Sequence, residues 1–250
     1  MKKRLDLICV ERGIFENRHK AQAAIMAGKV IVNGKSICKA GTKVSDSDDI
    51  FLEKEMPYVS RSGIKLKAAL ESFKINLRGK ICADIGVATG GFSDCMLQEG
   101  ARVVYGVDVG KGQVHEKVRA NPGFVFMPGT NARFLKEDSF KKKPVFAAVD
   151  VSFISLRLVL PSLFCSMAEN FEAVILIKPQ FELSPEDLKK GIVRNDKARF
   201  KAVNVLRNFL IENYPGIAEM GLINSPIKGA KGNLEFLWHL KSRNRGQSQD

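Results

Sequence analysis

Several residue types are scarce in this 250-residue chain, and each scarcity excludes a class of protein. Its five cysteines include no C-x-x-C pair and its three histidines are dispersed, so we expect neither a disulfide framework nor a metal site. No apolar run approaches the roughly 18 residues of a membrane span. The basic residues Lys2, Lys3 and Arg4 are not followed by an apolar stretch long enough for an export signal. These features predict a cytoplasmic protein.

Acidic residues are also few relative to basic ones. The chain has 40 Lys and Arg against 27 Asp and Glu, which gives a net charge of +13. Ten basic and three acidic residues lie between positions 1 and 43, so this segment alone carries +7. Such an excess attracts polyanions and favours a nucleic-acid-binding protein over a generic basic one.

Residues 1–56 have the pattern of a separate small α+β module. A short amphipathic helix is predicted over residues 5–13 and a second over residues 18–27. A strand that begins at Val30 runs into an Asn33-Gly34 hairpin signal, and a last strand at residues 50–52 closes the module.

The rest of the chain alternates strand and helix signals. A helix is predicted over residues 65–73, and βα units follow from residue 80 to about 212. Two last strand-like runs, at residues 221–224 and 235–240, suit an antiparallel pair. The predicted fold class is therefore α/β, with a mostly parallel, doubly wound sheet.

These patterns divide the chain into four parts. The small module, residues 1–56, is followed by an interdomain linker, residues 57–63, and by a Rossmann-like domain, residues 64–241. The remaining residues, 242–250, form a polar tail.

Four predicted strands end at a charged residue. The apolar runs that begin at positions 81, 103, 145 and 173 stop at Asp84, Asp108, Asp150 and Lys178. Ligands of open parallel sheets bind outside the carboxyl ends of the strands, so these four side chains should point into one crevice.

The first of these strands is followed by a glycine turn, residues 86–91. Its glycines permit positive φ and close approach of a ligand, and Asp108 suits hydrogen bonds to two ribose hydroxyls. The spacing G-x-x-x-G-G lacks the second glycine of the dinucleotide fingerprint. S-adenosylmethionine, which has no phosphate, is therefore favoured over NAD. A tight turn without a ligand is the remaining alternative.

Four further side chains are candidates for chemistry, although each has an ordinary interpretation. Lys178 ends a strongly apolar strand, where a lysine is poorly solvated unless it faces a cleft. Lys65 could be a solvated helix residue, Asp150 could cap the next helix, and Glu235 begins an apolar strand.

The small module resembles the RNA-binding fold first seen in ribosomal small-subunit protein four. The resemblance rests on the order and spacing of Arg4-Leu5-Asp6, Asn17-Arg18-x-x-Ala21, Ile25-x-x-Gly28-x-Val30-x-Val32-Asn33-Gly34, and Val44 through Asp49-Ile50. Asn17 stands where that family usually has Ser, and Asn caps a helix equally well.

Nearly the whole chain resembles the TlyA family of ribosomal RNA 2′-O-methyltransferases, whose catalytic domain is similar to the FtsJ class. The motifs are Tyr58-Val59-Ser60-Arg61-x-Gly63-x-Lys65-Leu66, Asp84-Ile85-Gly86-x-x-Thr89-Gly90-Gly91-Phe92-x-Asp94, Asp108-Val109-Gly110, Asp150-x-Ser152-Phe153-Ile154-Ser155-Leu156, Lys178-Pro179-Gln180-Phe181-Glu182 and Ser225-Pro226-x-x-Gly229-x-x-Gly232-Asn233-x-Glu235. Two positions depart from the pattern: Ser62 replaces a usual Gly, and Ala88 replaces a usual Ser in the glycine turn.

The resemblance implies S-adenosylmethionine-dependent methylation of ribosomal RNA, in one or both subunits, with cytidine as the target. It implies the catalytic set Lys65, Asp150, Lys178 and Glu235. It implies the cofactor-binding residues Asp84, Gly86, Thr89, Gly90, Gly91, Phe92, Asp108, Val109, Asn131 and Asp150. The expected RNA-binding residues are Arg4, Arg18, Lys20, Lys29, Lys35 and Arg61.

The chemistry explains why such a catalytic set is needed. A ribose 2′-hydroxyl is a poor nucleophile, so a base must take its proton, and Lys178 is the candidate base. Free lysine is almost fully protonated at neutral pH. The cation Lys65 and a sulfonium would favour the neutral amine, whereas Asp150 and Glu235 would oppose it. The two acids are instead expected to orient the lysines and the hydroxyl.

Two other functions stay open. One is a non-catalytic RNA-binding factor for ribosome assembly, although the chain retains all four catalytic residues. The other is a membrane-active haemolysin, a label that some TlyA family members carry. The sequence has no membrane span and no strongly amphipathic basic helix to support it.

Overall fold

The computed structural model describes residues 2–33, 35–48, 50–52, 56–189, 191–229 and 232–242. The chain divides into two compact units, residues 1–56 and residues 57–250. No helix among the described residues is long and apolar enough to cross a membrane.

The first unit packs two short helices with two small antiparallel sheets. Its elements are β1 (Lys2–Arg4), α1 (Leu5–Glu11), α2 (Arg18–Met26), β2 (Val30–Val32), β3 (Lys35–Ile37), β4 (Lys43–Ser45) and β5 (Ile50–Leu52). Strand β2 lies between β3 and β5, and β1 pairs with β4. The core contains Leu5, Ile8, Cys9 and Ile25, all at most 1% exposed.

Two local predictions for this unit are confirmed. The side chain of Asn17 caps α2 by accepting a 2.9 Å hydrogen bond from the backbone N–H of Lys20. Asn33 has φ of +49° at the tip of the hairpin between β2 and β3, where its tolerance of left-handed backbone is needed. Its neighbour Gly34 lies outside the described residues.

The second unit has a seven-stranded sheet and five α-helices among its described residues. The strands are β6 (Ile81–Ile85), β7 (Val103–Asp108), β8 (Phe124–Pro128), β9 (Phe146–Val149), β10 (Glu172–Ile177), β11 (Ile217–Asn224) and β12 (Phe236–Ser242). The helices are α3 (Ser62–Ser72), α4 (Gly91–Gln98), α5 (Glu116–Arg119), α6 (Leu160–Ser166) and α7 (Asp196–Asn213).

The strand order is β11-β12-β10-β9-β6-β7-β8. The strands from β10 to β8 are parallel, and β12 and β11 are antiparallel additions at one edge. Apolar clusters cover both faces, so the central strands are buried throughout, as continuous apolar runs predict. The expected mostly parallel sheet and the terminal antiparallel pair are confirmed.

Two expected boundaries differ from the structure. Residues 57–63, interpreted as a linker, belong to the second unit. The Val59 N–H donates to Asp94 Oδ2 over 2.9 Å, and α3 already begins at Ser62. Ser242, assigned to the tail, is the last residue of β12 because its N–H bonds to the Phe171 carbonyl. The other tail residues, 243–250, lie outside the described residues.

Candidate active site

Two adjoining cavities lie at the carboxyl edge of the parallel strands. The smaller is about 340 Å³ and its lining includes Lys65, Thr89, Phe92 and Lys178. The larger is about 490 Å³ and its lining includes Asp108, Val109 and Asn131. Gly86, Ala88, Asp150 and Ser152 line both cavities. A molecule in the larger cavity can therefore meet one in the smaller cavity beside Asp150.

The four predicted catalytic residues form two ion pairs. Lys65 Nζ lies 2.6 Å from Glu235 Oε2, and these side chains are 10% and 2% exposed. Lys178 Nζ lies 2.6 Å from Asp150 Oδ1, with side chains 11% and 17% exposed. Pairing of this kind is what allows such buried charges, because an isolated one would lose its hydration without compensation.

The ammonium group of Lys178 has a second partner. It donates a 2.7 Å hydrogen bond to Ser152 Oγ. Asp150 Oδ1 is close enough to Lys178 for an ion pair but has no hydrogen bond of good geometry among the described residues. This carboxylate oxygen is buried, so the ammonium group of Lys178 is what balances its charge. The interpretation of Asp150 as a mere helix cap is wrong, since Ser155 caps the turn that follows.

A buried carboxylate joins the two chain segments that carry Lys178 and Asp150. Glu182 accepts a hydrogen bond of 2.6 Å from Ser155 Oγ and one of 2.8 Å from the Leu156 N–H. Burial raises the pKa of Glu182 above its ordinary value. The contacts hold the segment after β9 against the segment after β10.

The glycine turn and Asp108 form one wall of the larger cavity. Gly86 has φ of +91°, and a β-carbon there would lie only 2.4 Å from the Asp150 carbonyl oxygen, so the packing requires glycine. The Asp108 carboxylate accepts the Ala88 N–H at 2.8 Å and the Gly110 N–H at 2.7 Å. Each oxygen keeps a free lone pair for a ligand. Ala88 itself has φ of +48°, which is unusual for a residue with a β-carbon.

Three of the predicted cofactor residues line neither cavity. They are Asp84, Gly90 and Gly91. Asp84 is fully buried, and its Oδ2 accepts the N–H and the hydroxyl of Ser93, whereas no described residue donates to Oδ1. Burial raises the pKa of Asp84 to about 7. The expectation that Asp84 faces the crevice is therefore wrong. The hydrogen bonds that Asp84 accepts from Ser93 instead hold the start of α4.

The predicted RNA-binding residues differ in their surroundings. Arg4 and Arg18 are half exposed and both pair with Asp6. Lys20 pairs with Glu16, Lys29 is half-buried, and Lys35 is exposed. Arg61 is also exposed and, unlike the others, belongs to the second unit, where it lines the smaller cavity.

Sequence reasoning missed three residues at the site. Ser152 binds Lys178, Glu182 joins the two segments, and Gly229 lies so close to Glu235 that a β-carbon would come within 1.8 Å of its Oε1. All three lie within the family motifs quoted above. Their presence there was a signal, but the motifs alone did not indicate what the side chains contact.

The fold and this edge of the sheet define an α/β methyltransferase. Residues 58–242 match the FtsJ-like methyltransferase family, and residues 3–50 match the S4 domain. The chain belongs to the FtsJ-like methyltransferase family and carries an N-terminal S4 domain. The resemblance stated from the motifs is thereby confirmed.

Individual relatives agree with this assignment. The chain is 45% identical over 250 residues to YqxC of Bacillus subtilis, provisionally named an rRNA methyltransferase, covering 98% of this chain and 88% of that one. It is 37% identical over 238 residues to the 16S/23S rRNA (cytidine-2′-O)-methyltransferase TlyA of Mycobacterium tuberculosis, covering 94% and 88%. A solved structure from Streptococcus thermophilus, described as a candidate hemolysin, is 40% identical with a TM-score of 0.75, covering 97% and 89%.

Proposed function

We propose that this protein methylates the 2′-hydroxyl of a cytidine in ribosomal RNA, with S-adenosylmethionine as the methyl donor. The observation that carries the proposal is the two lysine–carboxylate ion pairs at this edge of the sheet, because Asp150 of one pair lies beside Gly86, where the two cavities meet. The name of the mycobacterial relative supports cytidine and ribosomal RNA. The ribosomal substrate would place the reaction in the cytoplasm.

The larger cavity suits the cofactor. Asp108 offers carboxylate lone pairs suited to two ribose hydroxyls, and Asn131 and the exposed Val109 line the same space. S-adenosylmethionine supplies an electrophilic methyl group when bound. The residues of this chain would hold that molecule with its reactive end toward Asp150.

The smaller cavity suits the target nucleoside. Lys178, after its ammonium group has released one proton to solvent, would accept the proton of the 2′-hydroxyl at Nζ as that oxygen takes the methyl group, and Asp150 would orient both the amine and the hydroxyl. Lys65, held by Glu235, would add a positive charge that favours release of that proton. Alignment of the hydroxyl by these groups contributes in its own right.

The direct test is a methylation assay on ribosomal subunits. The full chain is incubated with a methyl-labelled donor and separated subunits, and the modified nucleotide is mapped. Label on a cytidine 2′-oxygen is the expected result. Label on a base would overturn the proposal. Tight subunit binding without any transfer would also overturn it and would favour an assembly factor.

Dye leakage from vesicles tests the haemolysin alternative, and no leakage is expected.

Asp108→Ala is expected to weaken cofactor binding while leaving the protein folded. The variant loses hydrogen bonds to a charged acceptor, each worth roughly 1.5–3 kcal/mol, so the dissociation constant should rise about tenfold or more. Calorimetry with S-adenosylmethionine measures this dissociation constant. NADH should bind neither the wild type nor the variant. Asp138→Ala, at an exposed aspartate that lines neither cavity, is the control. An unchanged affinity would remove Asp108 from the cofactor site.

Deleting residues 1–56 is expected to leave cofactor binding intact and to weaken RNA binding sharply. This unit contains none of the four catalytic residues, and residues 1–43 carry +7 of the net charge of +13. Filter binding to ribosomal RNA at several salt concentrations should show a shallower salt dependence for the truncated chain. A truncated enzyme that methylates subunits at the full rate would contradict this role.

A further inference from the structure

Among the described residues of the first unit, the side chain that accepts the most hydrogen bonds is the fully buried carboxylate of Asp6. Asp6 Oδ1 accepts Arg4 Nε at 2.9 Å. Its Oδ2 accepts Arg4 Nη2 at 3.0 Å, Arg18 Nε at 2.9 Å and Gln22 Nε2 at 2.7 Å. The Arg4 guanidinium, with help from Gln22 and Arg18, holds the pKa of Asp6 well below its usual range. Asp6 is therefore ionised at any physiological pH.

This carboxylate connects three elements of the unit. Arg4 ends β1, Asp6 lies in the first turn of α1, and Arg18 is the first residue of α2. The Arg4 guanidinium also packs against Gly41, so closely that a β-carbon there would lie 3.2 Å from its Nη1. Both guanidinium groups are thus held in place from within the unit.

Both arginine side chains remain partly exposed to solvent. Their side chains remain 43% and 50% exposed, although Asp6 is fully buried. Arg18 uses only Nε in the contact with Asp6, which leaves both of its terminal nitrogens as donors. A guanidinium presents donors in a planar fork that matches a phosphate. A free arginine would lose much rotamer entropy on binding, whereas one already fixed loses less.

We propose that Asp6 is a positioning residue for RNA binding, which fixes the guanidinium groups of Arg4 and Arg18 so that their outward N–H groups meet the phosphates of ribosomal RNA. The inference rests on the proposed function, because that function supplies the RNA. It assigns a binding role to an acid that never touches the nucleic acid.

The negative charge of Asp6 makes the proposal testable, because electrostatics and positioning predict opposite changes in RNA affinity when Asp6 is replaced. Asp6→Asn removes a negative charge, so electrostatics alone would make the chain bind RNA more tightly. Positioning requires the opposite result. The new amide N–H groups would face the donors of Arg18 or Arg4, and the arginines would be released. We expect affinity to fall about tenfold, the size that follows from freeing two long side chains.

The control is Asp46→Asn. Asp46 is an exposed aspartate in the same unit, so this change removes the same charge without touching the arginines. Binding of the full chain to purified ribosomal subunits is measured for the wild type and both variants. Asp46→Asn should bind as tightly as the wild type or more tightly. Calorimetry with S-adenosylmethionine should give the same affinity for all three.

Amide hydrogen exchange of α1 and α2 separates positioning from folding. Weaker RNA binding by Asp6→Asn with unchanged amide protection supports the proposal. Asp6→Asn should also weaken RNA binding less in an Arg18→Ala background than in the wild type. Lost protection in Asp6→Asn would overturn it, because Asp6 would then act by holding the fold. Binding equal to that of Asp46→Asn would also overturn it. A wild-type chain that does not bind ribosomal RNA would overturn the proposed function together with this inference.

Discussion

Lys178→Ala is expected to reduce methyl transfer by about 10²–10⁴-fold, the usual contribution of a general base. Lys178 lines the smaller cavity, and its ammonium group contacts Ser152 and Asp150, which line both cavities. Its lost interaction belongs mainly to the transition state, so affinities for RNA and cofactor should change little. Single-turnover rates and equilibrium binding measure the two effects separately. Lys80→Ala is the control, because Lys80 is also paired, with Glu172, but precedes β6 at the opposite edge of the sheet.

Lys178→Arg separates the role of a base from the role of a positive charge. A guanidinium keeps the ion pair with Asp150 but does not release a proton near neutral pH. We therefore expect the arginine variant to be almost as slow as the alanine variant. A rate near that of the wild type would show that Lys178 only positions the substrate and that the base lies elsewhere.

The sheet and part of the site could be predicted because parallel strands share their carboxyl edge. Asp108, Asp150 and Lys178 do lie at the two cavities, as their places at the ends of apolar runs indicate. Asp84 differs because it pairs with Gly106 and Ala148, two residues before Asp108 and Asp150, and therefore lies deeper in the sheet. The register between neighbouring strands is not visible in the sequence.

Other contacts could not be predicted from spacing. Lys65 and Glu235 are 170 positions apart, and their pairing depends on β12 entering the sheet beside β10. Only the resemblance to a family placed both of them in one catalytic set. Charge likewise indicated Arg4 and Arg18 as RNA ligands, but nothing in the composition shows that a buried Asp6 holds them. Side-chain partners across distant segments are set by the packing of the finished fold.

Gly229→Ala is expected to slow methyl transfer strongly although none of the four catalytic residues is itself replaced. A β-carbon at position 229 would lie 1.8 Å from Glu235 Oε1 and 2.4 Å from its Cδ, so the carboxylate must move. Glu235 is 3% exposed and has little room, and its movement would leave Lys65 poorly paired and displaced. A misplacement of about 1 Å can cost about 10²-fold in rate, which is the loss we expect.

The matched control is Gly216→Ala, because a β-carbon there would meet nothing within 4 Å. Single-turnover assays on ribosomal subunits should show a normal rate for the control and a slow one for Gly229→Ala, with cofactor affinity retained by both.

Glu235→Asp shortens the side chain and should itself be slow, because the carboxylate is drawn away from Lys65. In Gly229→Ala the same shortening also makes room for the new methyl group, so the double variant should lose less than the two single losses combined. This non-additivity follows from direct contact between the two positions. A full rate in Gly229→Ala, or strictly additive losses, would mean that the position of the Glu235 carboxylate does not limit the reaction.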